Sequence, residues 1–152
     1  MSNISDTEES GMSFEEKNTW AYGLTAVVGY LVYLAIVLPA MAQAPAPQTP
    51  YVGAMLGTIL GGIAVGIVAG MVLGFGSGRG KRTDVRDRDI ARMGERVGQA
   101  FLVIGLLGVL VLAWTQAHAF WIANVAYLAF VLSAVLGSIA KLVAYRRGMP
   151  TW

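Results

Sequence analysis

The chain has 152 residues, of which 56% are hydrophobic and 13% charged, with a formal net charge of +2 and a mean hydropathy of +0.61. No Asp, Glu, Lys or Arg occurs from Asn18 to Gly78 or from Val97 to Ala140; each run exceeds the ~20 apolar residues that cross a bilayer, which excludes a water-soluble fold. The runs are continuous rather than alternating, which excludes a β-barrel, and the absence of cysteine excludes disulfides, thiolate metal sites and thiol nucleophiles.

The expected fold is an all-α membrane domain over residues 13–148, with four transmembrane helices arranged as two hairpins. Residues 1–12 form an acidic, polar tail, expected to be disordered. Ser13 and Glu16 have the spacing of a capping box, so helix one is expected over about 14–42. The stretch Pro39 to Ala44 resembles a signal-peptidase site. The helix is nevertheless read as retained, because it is a full span long and only Lys17 stands in for a basic leader. Gln43 to Pro50 is a proline-punctuated connector, expected to be extended because Pro45, Pro47 and Pro50 lack an N–H.

Helix two is expected over about 51–75. Residues 76–97 form the only heavily charged stretch, a flexible glycine-rich start followed by a helical lead-in. Helix three should cover about 84–116 and helix four about 119–146, with a tight turn between Thr115 and Ala119. Trp114, Phe120 and Trp121 mark one membrane interface.

Every basic residue lies on one side of this arrangement. Lys17 precedes helix one; Arg79, Lys81, Arg82, Arg86, Arg88, Arg92 and Arg96 lie between helices two and three; Lys141, Arg146 and Arg147 close helix four. The positive-inside rule therefore puts both termini and the central loop in the cytoplasm, and the protein in a cell's inner membrane.

Helix two carries two glycine rows, Gly62, Gly66, Gly70, Gly74 and Gly53, Gly57, Gly61. Small residues at this spacing let helix backbones approach closely. They are candidates for packing inside the bundle or for a seam between copies of the chain, and helix two is expected to be the most tightly packed element.

Ionisable residues are missing at membrane depth, so no proton relay or charged gate can be built there. Tyr30, Tyr33, Thr58, Asn124 and Ser133 are the polar candidates for a small pocket open to the outside. The competing expectation is a set of interhelical hydrogen bonds worth about 0.6 kcal/mol each. His118 is the only histidine, and a metal or haem site would want more ligands, so neither metal nor cofactor is expected. No catalytic motif is present, which points away from an enzyme.

Arg79, Lys81, Arg82, Arg146 and Arg147 suit anionic lipid headgroups. The run Asp84, Val85, Arg86, Asp87, Arg88, Asp89 alternates in sign. Its carboxylates would repel phosphates, which argues against direct nucleic-acid binding and leaves a solvated helix start or a protein-docking surface.

The segment from Asp84 to Gly98 resembles the lead-in to helix three in a family of bacterial and archaeal four-helix membrane proteins of unknown function. The resemblance extends through Phe120 to Asn124 and Tyr145 to Gly148, about the second half of the chain. It implies four helices, no catalytic residues and a possible cytoplasmic regulator protein of the helix-turn-helix type as partner. Arg82 and Thr83 depart from the more acidic residues of such relatives.

Composition, motifs and resemblance together favour a small non-enzymatic membrane protein. It would act by protein interaction or regulation and self-associate through helix two as a homo-oligomer. The alternative is a transporter or binding protein for an amphiphilic or uncharged ligand.

Overall fold

A computed structural model describes residues 14–76 and 85–148. Four α-helices account for most of them: α1 (Phe14–Gln43), α2 (Val52–Gly76), α3 (Val85–Trp114) and α4 (Ala119–Arg147). Each is long and apolar enough to cross a membrane. Large apolar side chains such as Leu31, Leu60, Ile104 and Leu107 remain more than half exposed, as expected where the surrounding medium is hydrocarbon and not water. The tail over 1–12, Ser13 of the capping box, and Arg79, Lys81, Arg82, Thr83 and Asp84 lie outside the described residues.

The connections explain where the chain reverses. The Gln43–Pro50 connector is not uniformly extended, as its prolines suggested. It holds one 3-10 turn, Ala46–Gln48, closed by Gln48 N–H to Pro45 O at 2.8 Å and Thr49 N–H to Ala46 O at 3.2 Å. Proline lacks a donor, but in a first helical turn that donor has no partner anyway, so Pro47 fits there.

The α3–α4 turn ends with Gln116 in the left-handed region, φ 53°. Its N–H bonds Ala113 O at 3.1 Å, and Ala117 N–H bonds Leu112 O at 2.9 Å, the paired bonds that use up carbonyls at a helix end. His118 then caps α4, its Nδ1 accepting from Phe120 N–H at 3.2 Å. A backbone cap is thus the role of the lone histidine.

Packing runs in the order α2–α1–α4–α3, so the two hairpins meet through α1 and α4. The most intimate contact joins α3 to α4. There the expectation that α2 would be the tightest element is corrected. A Cβ on Gly98 would lie 2.8 Å from the Ser133 carbonyl oxygen, and one on Gly94 would lie 2.8 Å from the Gly137 carbonyl oxygen. Gly105 faces the Ala129 methyl so closely that no side chain fits between them. These backbones touch because glycine removes the atoms that would hold them apart.

α2 behaves differently. Gly53, Gly57, Gly61, Gly66, Gly70 and Gly74 have no neighbouring atom within 4 Å of a would-be Cβ. Gly62 meets only the Thr25 methyl, at 3.9 Å. The α1–α2 contact lies nearby, where Gly29 approaches the Thr58 carbonyl at 3.8 Å. Packing among the described residues therefore does not account for Gly53, Gly57, Gly61, Gly66 and Gly70.

Candidate functional site

The two ends of the molecule are built from opposite chemistry. At the end holding the α1–α2 connector, Tyr33, Val37, Phe120 and Tyr127 form a buried cluster with Tyr30, Tyr51, Met55 and Ile59 against it. The Tyr127 ring stands edge-on to both Tyr30 and Tyr33, with centroids 5.4 and 5.1 Å away. Phe120 takes the same posture against Tyr51 at 5.1 Å. Such edge-to-face pairs add about 0.5–1.5 kcal/mol each beyond buried area.

The polar candidates converge here, as the sequence suggested, but on one another. The Tyr33 hydroxyl donates to Asn124 Oδ1 at 2.6 Å, and Asn124 Nδ2 donates to Phe120 O at 2.8 Å. Tyr127 donates to Thr58 Oγ1 at 3.0 Å, and the Thr58 hydroxyl donates back to the Ala54 carbonyl at 2.9 Å. Tyr33 is fully buried. The space expected as an outward pocket is filled by Tyr33 and Tyr127, and the hydrogen-bond expectation holds instead. A hydroxyl in an apolar bundle must find a partner, and these helices supply one another's.

Ser133 does not join this group. It lies against Gly98 of α3 and lines a cavity toward the opposite end. This cavity, about 570 Å³, opens among the first turns of α1, the first half of α3 and the last half of α4. Glu15 and Asn18 come from α1, Glu95 and Gln99 from α3, and Lys141 and Tyr145 from α4. Gly94, Gly98 and Gly137 form part of its wall, so the small residues that weld α3 to α4 also leave room beside the seam.

Lys141 is held by that seam. Its stem lies across Gly94, where any larger residue would collide with the side chain. Near the rim, the Tyr145 ring sits beside Asp87, with Glu15 and Glu16 close enough to act on it electrostatically. The sequence marks Lys141 only as one of the basic residues that close helix four, and it does not single out Glu15, Asn18, Gln99 or Tyr145 as site residues. The available signal was Gln99 and Lys141 themselves, polar groups within or bordering an otherwise apolar run.

No protein-family model, no curated protein and no solved structure matches the chain.

The alternating segment is partly used within the chain. Asp89 pairs with Arg92 at 3.9 Å, an exposed and long contact worth little. Asp87 lies beside Tyr145. Arg86 and Arg88 are exposed, as are Arg146 and Arg147. Among the described residues no group of three or more His, Asp or Glu side chains is arranged to hold a metal ion.

Proposed function

We propose that this is a non-enzymatic, multi-pass protein of the inner membrane that works by association, first with copies of itself. The observation that supports this reading is the open face of α2: a Cβ added at Gly53, Gly57, Gly61, Gly66 or Gly70 would meet no atom within 4 Å. Glycine lowers helix propensity by about 1 kcal/mol per residue relative to alanine. These glycines gain nothing from packing among the described residues, whereas a second copy of α2 would gain close backbone contact that lipid tails cannot match. Gly53, Gly57 and Gly61 are the preferred seam, because all three are exposed and Gly62 alone leans toward α1.

The orientation in this reading follows the basic residues, with the Glu15 end cytoplasmic. Arg79, Lys81, Arg82, Arg146 and Arg147 meet anionic headgroups there. Arg86 and Arg88, with Asp84, are offered to a cytoplasmic partner protein, the helix-turn-helix regulator implied by the family resemblance being one such partner. Because the chain has no cysteine, single-cysteine labelling reads orientation cleanly. Residues introduced at Gln48 and Ala117 should react with an impermeant reagent from outside intact cells, and one at Thr83 should not; the reverse pattern inverts the topology.

Self-association is tested by energy transfer between labelled full-length copies in bilayers. Gly57→Leu should weaken it about tenfold, or ~1.4 kcal/mol, because the added side chain forces two helices apart. Wild-type transfer no greater than for a monomeric control removes the reading.

A further inference from the structure

The cavity at the Glu15 end combines features that a packing defect would not. Its lining carries two carboxylates, Glu15 and Glu95, and one ammonium, Lys141, in a chain that otherwise keeps charge out of long stretches. Lys141 makes no ion pair with Glu15 or Glu95 within 4 Å, although all three line the same space. Glu95 is exposed and Glu15 and Lys141 are half-buried, so all three charges stay within reach of a ligand in the cavity. Gln99 and Asn18 add amide donors and acceptors to the same wall. The volume, about 570 Å³, falls within the range of small-ligand sites, roughly 300–1,000 Å³.

The charge pattern selects the ligand. An anion alone would meet two carboxylates; a simple cation would meet Lys141. A zwitterion satisfies both, with its ammonium toward Glu15 and Glu95 and its acidic group on Lys141. We propose that this cavity binds a zwitterionic aminoalkyl phosphate, the chemistry shared by an ethanolamine phospholipid headgroup and by free phosphoethanolamine. Gly94 is integral to the site, since it lets the Lys141 stem cross α3 and fixes where the ammonium can reach. This inference does not depend on self-association through α2, which lies at the far side of the packing order.

The test uses the full-length protein in nanodiscs and two sources of the same group. In the first arm, discs contain equal phosphatidylethanolamine and phosphatidylglycerol, and native mass spectrometry counts the lipid retained after detergent extraction. In the second, discs contain phosphatidylglycerol alone, and free phosphoethanolamine is titrated while the melting temperature is followed.

Selective retention of the ethanolamine lipid identifies a headgroup site. A saturable rise in melting temperature in the second arm without lipid retention identifies a site for the free zwitterion. In whichever arm responds, Lys141→Met and Glu95→Gln should each reduce binding about tenfold, the loss expected from one charge-assisted hydrogen bond. Thr115→Ala, exposed at the opposite end of the molecule and outside the cavity lining, should change it little. Equal retention of both lipids with no response to phosphoethanolamine overturns the proposal, as does binding that Lys141→Met and Glu95→Gln leave unchanged. Because the wild type alone must discriminate between ligands, a variant that fails to fold does not rescue the idea.

Discussion

The two hairpins use the same residue for opposite ends. In α3–α4, glycines at 94, 98, 105 and 137 sit against the facing backbone or a methyl group, and a Cβ at any of them would meet an atom within 3.0 Å. In α1–α2, seven glycines spaced by four residues leave almost nothing within 4 Å. Glycine spacing describes how smooth a helix face is. It does not say which neighbour, if any, occupies that face. The lesson is that a small-residue row must be read together with the contacts opposite it before a role is given.

The largest expected effect separates the hairpins directly. Gly98→Leu must push Ser133 and its carbonyl aside, and overpacking of this kind costs about 3 kcal/mol or more. Gly66→Leu meets open space and should leave the melting temperature of the monomer within a degree or two of wild type, corresponding to less than about 0.5 kcal/mol. Thermal unfolding in detergent checks both. Equal destabilisation by the two substitutions would erase the distinction between a welded hairpin and an open one.

Much of the fold was legible beforehand, because charge-free runs longer than a bilayer leave few alternatives. The helix ends fell within a residue or two of expectation: α2 at Val52–Gly76 against 51–75, and α4 at Ala119–Arg147 against 119–146. The tight turn at Thr115 to Ala119 followed from the arithmetic of two spans in one run. The convergence of Tyr33, Thr58 and Asn124 was legible too, since each could be placed at a similar depth by counting rise along its helix.

What filled the space between them was not. Only the packing of α4 against α1, with Tyr127 reaching Thr58 of α2, shows that ring closing the gap. The cavity was hidden for a related reason. It draws on three helices far apart in sequence, and nothing in the sequence places Gly94 beneath the Lys141 stem. Pairwise depth is a property of each helix alone, whereas cavities depend on which helices become neighbours.

A smaller effect sharpens the contrast between the aromatic end and the cavity end. Tyr33→Phe removes the hydrogen bond to Asn124 but keeps the ring stacked against Tyr127, so it should cost about 0.6 kcal/mol. Unfolding of the variant in detergent reads this loss. A cost above roughly 2 kcal/mol would mean that the buried Asn124 cannot find another partner, and that the network holds α1 to α4 more firmly than the packing does.

The most direct measurement of the open face of α2 is disulfide capture in native membranes, which the cysteine-free chain permits without background. Cysteine is introduced at Gly57 or Gly61, and, as controls of similar exposure on other helices, at Leu31 or Leu107. Under mild oxidation the two α2 positions should yield covalent dimers and the controls should not. Equal cross-linking at all four positions, or dimers at Leu31 and Leu107 alone, would contradict a seam built on the α2 glycines.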